Sequence, residues 1–547
     1  MGEVGEKRSE VINSGMGQKV AVIVAMVAVL ALPFVVRLAT GGPELRTSAS
    51  GADSQRLVIV TPHVEQIRDE FSKAFERWHL RTHGQSVTID WRTPGGTSEI
   101  VKQLEATLDA AARKGQLRDD GTFEPGAAGA DLFFGGGSYE HGKMKAERTV
   151  KTDDGKTVKF RMGRPIGGKG FDQKRMDEWF GENRIGNQPL YEKDQYWIGT
   201  ALSGFGIVYN RDVLARLGLP EPRSFQDLRD PRFFNMLCLA DGRQSGSVTT
   251  TYDSIMNKEM WDRGWRTLRD LCANARYFAA ASTKPPVDVG QGEGAAGLAI
   301  DFYGRGQAQF LLKPGQDPAT VRVGYVDPEG AVFIDADPAS MLNGAQNPVL
   351  AARFVEFVLS DEGQALWQFP AVGADGSKAA PGTPEDGGGR PMGPEQEQLR
   401  RMPARRAMYE EYAQWMIDKT NPFTIASDVT PQNWRDAIPP MMAAFGIDTA
   451  PELREAWLAI SRARARAAAG TVSPGHLKEL EHEFYALPPH TMRDGTVVQF
   501  DQRNYEAIKK DTNKWRDPDH GKRSLIAYTE FFRNQYRKVI RMEKEGK

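Results

Sequence analysis

The sequence predicts an α/β protein whose first part is a parallel, doubly wound sheet. Three observations carry this. Short apolar runs at 56–61 (RLVIVT), 86–91 (SVTIDW) and 130–134 (ADLFF) alternate with segments of helical spacing, the pattern of strands joined by crossover helices. Each run breaks at once into small or turn-forming residues. A later apolar run, 297–300, breaks directly into Asp301, Phe302, Tyr303 and Arg305, and open α/β sheets place ligands at the carboxyl ends of their strands. With 547 residues the chain is too long for one ordinary core and requires two or three domains or lobes.

In order, 56–61 is a buried strand stopped by Pro62, and Ile67, Phe71, Phe75 and Trp78 mark the apolar face of a helix over 63–80. The strand at 86–91 leads through Pro94–Ser98 into a helix containing Ile100 and Leu104. The strand at 130–134 leads into Gly135, Gly136, Gly137 and Ser138. Residues 149–193 are polar and aperiodic and read as a surface insertion. Residues 196–210 form an apolar extended run, 212–217 a short helix, and 236–240 and 277–281 further strands. Two strands, 321–325 and 331–334, bracket Asp327–Gly330, and 347–369 reads as a helix pair. Residues 371–394 are rich in Gly, Pro and Ala and read as a loop. Helices are expected at 395–419, 431–445 and 451–469, followed by a charged region anchored by Trp515, Phe531 and Phe532. No internal repeat occurs.

The amino-terminal segment 20–36 (VAVIVAMVAVLALPFVV) carries no charge. Lys7, Arg8 and Lys19 precede it and Arg37 follows. It is near the lower end of the ~17–25 residues that span a bilayer and longer than the ~7–15 of a signal-peptide core. The basic flank keeps its amino side in the cytoplasm and sends the rest outward. An uncleaved anchor leads, with cleavage near Ser48–Ser50 left open. Lys+Arg (71) and Asp+Glu (72) balance, so no basic field points to nucleic acid. Two cysteines, Cys238 and Cys272, exclude a disulfide scaffold or a Cys-based zinc site; buried free thiols lead over a disulfide between them.

Four loops follow strands and open helices: Thr61–His63, 94–98 (with Gly95, Gly96 and Thr97), 135–138 (with Gly136, Gly137 and Ser138) and 241–247 (with Ser245, Gly246 and Ser247). Small residues admit a ligand to the backbone, and helix N-termini offer unpaired N–H groups to anionic or oxygen-rich groups. Each serine alone could be an ordinary helix cap; four such loops together describe a cleft. There is no P-loop lysine after the triple glycine, no G-x-S-x-G and no H-E-x-x-H, and neither cysteine lies in a cleft loop. These absences argue against an enzyme. His63 and Tyr303 are candidate ligands for a hard metal, with Glu140 and His141 behind them.

The segments LVIVTPHVEQIRDEF, DWRTPGGTSEI, DLFFGGGSYEHGKM, LSGFGIVYN and GLAIDFYGRGQA, in this order, resemble an extracytoplasmic solute-binding protein of an ABC transporter, of the ferric-iron-type (family 1) group with the two-lobed type II periplasmic-binding-protein fold. NPVLAARFVEFVLSDEGQALW resembles that family's late helix. The resemblance covers roughly 56–369. It implies lobe 1 from 56–195 and 301–370 and lobe 2 from 196–300; the residues before them read, on their own composition, as a cytoplasmic tail (1–19), a transmembrane anchor or signal (20–38) and a linker (39–55). A Gly/Pro-rich insert (371–394) and a helical C-terminal extension (395–547) depart from the family pattern. The implied ligand lies between the lobes, with Ser203, Gly204 and Arg305 joining the loop residues above. The family's ferric ligands imply His63, Asp301 and Tyr303 as a metal set, though Phe302 stands where a second tyrosine would. The implied ligand is Fe³⁺ as cargo, or a chelated or anionic solute. The implied partner is an ABC permease, and the implied location is periplasmic, anchored to the inner membrane or secreted across it. The alternative is a membrane-anchored extracytoplasmic sensor on the same fold.

Overall fold

A computed structural model describes residues 54–546, apart from 168, 314, 315, 318, 319, 329 and 330. The described chain from Arg56 onward belongs to one unit. The tail, the apolar segment 20–38 and nearly all of the linker lie outside the described residues. Among the described residues, no helix is long and apolar enough to cross a membrane.

The first strands and helices follow the predicted alternation: β1 (Gln55–Val60), α1 (Glu65–His83), β2 (Val87–Arg92), α2 (Thr97–Arg113), β3 (Leu132–Phe134) and α3 (Ser138–Gly142). β1 and β3 pair in parallel, Ile59 opposite Leu132. Polar 147–164 form a hairpin, β4 (Glu147–Lys151) with β5 (Thr157–Arg161), and a short β6 (Gly163–Arg164). α4 (Gln173–Phe180) follows, capped by the Asp172 side chain, which accepts from Arg175 N.

β7 (Ile198–Asn210) is buried at all 13 positions. α5 (Arg211–Leu217), β8 (Leu237–Ala240), α6 (Gly246–Asn274), β9 (Ala275–Ala279), α7 (Lys284–Gln291), β10 (Ala296–Ile300), α8 (Asp301–Phe310), β11 (Val323–Val326) and β12 (Ile334–Leu342) complete the sheet region. The principal strand order is β2-β1-β3-β12-β7-β10-β8-β9. β7 serves both halves. Its residues 198–204 pair antiparallel with β12, and residues 205–209 pair antiparallel with β10. β11 pairs with residues 207–210, so the segment after Asp301 stays beside the second half of β7 through Val326, and the chain re-enters the first half with β12.

β12 departs from the sequence reading, which ended a strand at Ile334. Asp335, Asp337 and Pro338 disguise it. All nine of its residues are buried, because Asp335 and Asp337 find partners on neighbouring loops and a bulge falls between Asp337 and Pro338. The helix pair is α9 (Pro348–Val358) and α10 (Asp361–Gln368). Residues 371–394 form turns tied to the body, with Val372 N donating to Pro394 O. The expected helix at 395–419 is replaced by irregular chain, β13 (Met402–Pro403) and a short α11 (Ala407–Glu411). The buried Glu70 carboxylate accepts from Glu395, Gln396 and Glu397 N, and Arg400, with a φ of +55°, breaks any helical run through this segment.

Beyond lie α12 (Pro422–Ile425), α13 (Ile438–Met442), α14 (Ala450–Ala468), α15 (Pro474–Tyr485), the hairpin β14 (Pro489–Thr491) and β15 (Val497–Gln499), α16 (Tyr505–Asp511) and α17 (His520–Glu545). All of these but α12, whose Phe423 packs on the first-half core, share one core with β8, β10 and α6. Trp457, Phe484, Phe532 and Tyr536 cluster with Trp265, Leu268 and Leu298. Buried Arg269 of α6 lies over Phe532, 4.8 Å from its centroid, and donates to Phe484 O. Cys238 and Cys272 are free and buried, and burial pushes the Cys238 thiol up to about 11.

Two outcomes follow. Trp457 is fully buried and donates to Asn274 Oδ1 at 2.9 Å; Trp457→Ala should lower stability by about 3–5 kcal/mol in urea unfolding, whereas a separately folded extension would leave the unfolding of the sheet region unchanged. His141 stacks on Phe133 (4.1 Å), accepts from Ser340 Oγ at 2.7 Å and donates to Gly135 O at 3.1 Å. Burial lowers its pKa to about 4. Between that value and about 6.5 the unfolded chain binds the extra proton, so this contribution is present at pH 7 and is lost as pH falls. The stability gap between wild type and His141→Gln should therefore narrow by about 2 kcal/mol from pH 7 to pH 5; a constant gap would refute this.

Candidate functional site

The ends of β1, β2, β3, β8, β9 and β10 converge on one cavity of about 400 Å³. Its walls include His63, Gly95, Gly96 and Thr97 from the first half of the sheet and Ser245, Ser247, Thr283 and Tyr303 from the second. Gly136 completes the β3 side. The N-termini of α2 and α6 both open here: Gly96 is the N-cap of α2, and Ser245 caps α6 by accepting from Val248 N. The two halves come close: a Cβ on Gly96 would stand 2.9 Å from Gln244 O, a backbone approach that only glycine permits. Within the first half, a Cβ on Gly136, whose φ is +118°, would stand 2.1 Å from Thr97 Cγ2.

A buried charge network forms the floor. His63 Nε2 lies 3.2 Å from Asp337 Oδ2 and 3.1 Å from Arg401 Nη1. Arg401 pairs with Asp337, donates to Ser203 Oγ at 2.7 Å and lies 4.3 Å from the Phe302 ring centroid. Gly136 N also donates to Asp337. Burial opposes the Asp337 charge, but Arg401 and His63 outweigh it and hold the carboxyl below its ordinary range. Burial lowers the pKa of His63 against the pull of Asp337, keeping the ring neutral. Burial pushes the Tyr303 phenol up to about 12, so it is protonated at neutral pH. His63 Nδ1 and Arg401 Nε are buried and make no hydrogen bond within the protein.

Of the sequence candidates, His63, Gly95, Gly96, Thr97, Gly136, Ser245, Ser247 and Tyr303 line this cavity. Thr61 stands behind it, donating to Phe134 O at 2.6 Å and accepting from His63 N at 3.1 Å. Ser203 supports Arg401 from below. Gly137, Ser138 and Gly246 turn away: Ser138 N donates to Asp335 Oδ2 at 3.0 Å, and a Cβ on Gly137 would meet that same oxygen. Gly246 packs on Glu140, which pairs with buried Arg435. Asp301 and Arg305 do not line the cavity. Asp301 is fully buried and pairs with Arg305 at 3.3 Å, Arg305 reaches Asp327 at 3.0 Å, and Gly204 lies beside both carboxylates. The implied trio His63, Asp301 and Tyr303 is thus divided. The carboxylate beside His63 is Asp337, and a guanidinium already occupies it.

Asp337 and Arg401 are the residues that sequence reasoning missed. Asp337 sits in IDADPA, just past the end of the strand read at 331–334, and Arg401 lies 338 positions from His63 in a segment that reads as helix. No local signal marks either.

Residues 172–382 match the family model described as bacterial extracellular solute-binding protein. The phosphoglycerate transport regulatory protein PgtC of Salmonella typhimurium is 28% identical over 169 residues, 31% of this chain and 40% of that protein. An uncharacterized protein of Haemophilus influenzae is 28% identical over 186 residues, 33% of this chain and 49% of that protein. The chain therefore spans less than half the length of these curated relatives. Among solved structures, the fructose-6-phosphate-bound periplasmic binding protein AfuA from Actinobacillus pleuropneumoniae is 18% identical, covering 57% of this chain and 81% of that one at a TM-score of 0.42. The ferric binding protein from Campylobacter jejuni is 15% identical, covering 73% and 99% at a TM-score of 0.43. The family-model match at residues 172–382 takes in β7, the second half of the sheet and β12, so this part of the chain is similar to bacterial extracellular solute-binding proteins.

Proposed function

We propose that this protein is the solute receptor of an ABC-type importer and that it takes an organic anion, of the phosphate-ester or carboxylate class, in the cavity above Arg401. The observation that carries this reading is the meeting of two helix N-termini with buried Arg401 and neutral His63, each of the latter holding an unpaired nitrogen. Oriented N–H groups and a guanidinium are the donors an oxyanion requires. Gly96 against Gln244 supplies the seam at which the halves close on the ligand. The name of the Salmonella relative is consistent with a phosphorylated three-carbon acid. That relative is also named as regulatory, which favours ligand sensing as the second role. Working outside the cytoplasm beside a permease, with segment 20–38 as anchor, belongs to the same proposal. Iron as cargo is supported by the placement of His63 and Tyr303 on one cavity, and weighed against by the positive charge of Arg401.

Calorimetry and thermal shift with 3-phosphoglycerate, a hexose phosphate, inorganic phosphate and chelated ferric iron test this. A matching anion at a hundred-fold excess over its Kd should stabilise the protein by roughly 2.7 kcal/mol. Arg401→Met should weaken anion binding by about tenfold to a hundredfold. Because that change also leaves Asp337 unpaired, Gly96→Val serves as its companion. It should keep the fold and weaken binding by holding the halves apart. Stabilisation by ferric iron alone, with a visible phenolate-to-iron band that vanishes in Tyr303→Phe, would replace the anion with iron.

A further inference from the structure

Outside the lining of this cavity, the carboxyl-terminal region brings two imidazoles and a carboxylate together. His490 comes from β14, Asp511 ends α16 and His520 opens α17. His490 Nε2 lies 3.2 Å and His520 Nε2 2.5 Å from the same oxygen, Asp511 Oδ2. The ligand atoms of all three lie within 4.8 Å of one another, and among the described residues this is the one group of three His, Cys, Asp or Glu side chains so placed.

We propose that His490, Asp511 and His520 bind one divalent transition ion of the Zn²⁺ class. Two nitrogens and one carboxylate oxygen suit zinc and its neighbours, whereas magnesium and calcium prefer all-oxygen shells. Tetrahedral zinc with bonds of about 2.0–2.1 Å separates its ligands by about 3.3 Å. The His490 spacing already meets this, and the His520 ring needs to withdraw by less than an ångström. The outer partners are those of a metal site. Tyr528 Oη lies 2.6 Å from His490 Nδ1 and holds the ring with Nε2 facing Asp511. Asp511 Oδ1 accepts from Arg493 N at 3.3 Å, leaving Oδ2 to the imidazoles. Arg493 places its Nε 4.0 Å from Asp511 Oδ1 while donating to Asp511 O, and its Nη2 donates to Asp517 at 2.7 Å, so Oδ2 stays with the imidazoles. Nearly closed on the protein side, with His490 1% and His520 12% exposed in their side chains, the cluster borders a cavity of about 580 Å³. That cavity leaves the fourth position to water. The ion would pin the hairpin and the start of α17 to α16, and α17 carries Tyr528, Phe532 and Tyr536 into the core.

The test uses the full chain without a polyhistidine tag, stripped with chelator and titrated with Zn²⁺ by calorimetry and thermal shift, and with Co²⁺ by visible absorption. The expected result is one ion per chain, a higher Tm and a tetrahedral Co²⁺ spectrum. Asp511→Asn and His520→Gln should each weaken binding at least a hundredfold. Tyr528→Phe, which keeps the ring in the core, should weaken it about tenfold. Failure of the unvaried protein to bind one ion, or an octahedral Co²⁺ spectrum, would overturn the site even if a variant does not fold. Binding unchanged in both ligand variants would overturn it too, by placing the ion elsewhere.

Discussion

Arg401 carries its charge into the interior from a stretch of chain with almost no regular structure, and the geometry of the cleft depends on that charge being met. Asp337 meets it from β12, His63 from the loop after β1, and Ser203 from β7. One ion pair therefore ties together β7, β12, the first strand–helix loop and the segment that follows the Gly/Pro-rich insert. A buried pair of this kind is a weak source of net stability but a strong source of position, because removing either partner strands a charge in a low-dielectric interior. The cavity floor inherits that constraint.

β7 supplies the second constraint. A strand of 13 buried residues that pairs with β12 over its first part and with β10 and β11 over its second belongs to both halves of the sheet. The loops that bear the cavity hang from strand ends on either side of it, and glycine at 96 lets its loop approach the backbone of Gln244 from the other side. A strand shared in this way lets two halves rotate about it without either core being opened.

The carboxyl-terminal region changes the account of the second half. Trp457, Phe484, Phe532 and Tyr536 fill the same core as α6, β8 and β10, so this region is structural material for the half it covers. Arg269, buried among aromatic rings and bonded to Phe484 O, shows how completely the two are joined. The His490–Asp511–His520 cluster lies within this region, outside the segment that matches the family model.

The sequence by itself determined the strand–helix alternation of the first half, the helix pair at 348–368 and the loops after β1, β2, β3 and β8. Each of these is encoded locally, by apolar periodicity ending in glycine, proline or serine. The grouping of His63, Gly96, Gly136, Ser245 and Tyr303 around one cavity was legible because every one of them sits at the end of an apolar run. Tertiary structure alone decided that Asp335 and Asp337 lie inside a buried strand, that 395–403 runs irregularly instead of as a helix, and that Asp301 serves Arg305 and not the cavity. The physical reason is the same in all three cases. A charged residue enters a core only when its partner arrives with it, and the partners here lie tens to hundreds of positions away in the chain, or, for Asp301, one helical turn along but chosen by burial.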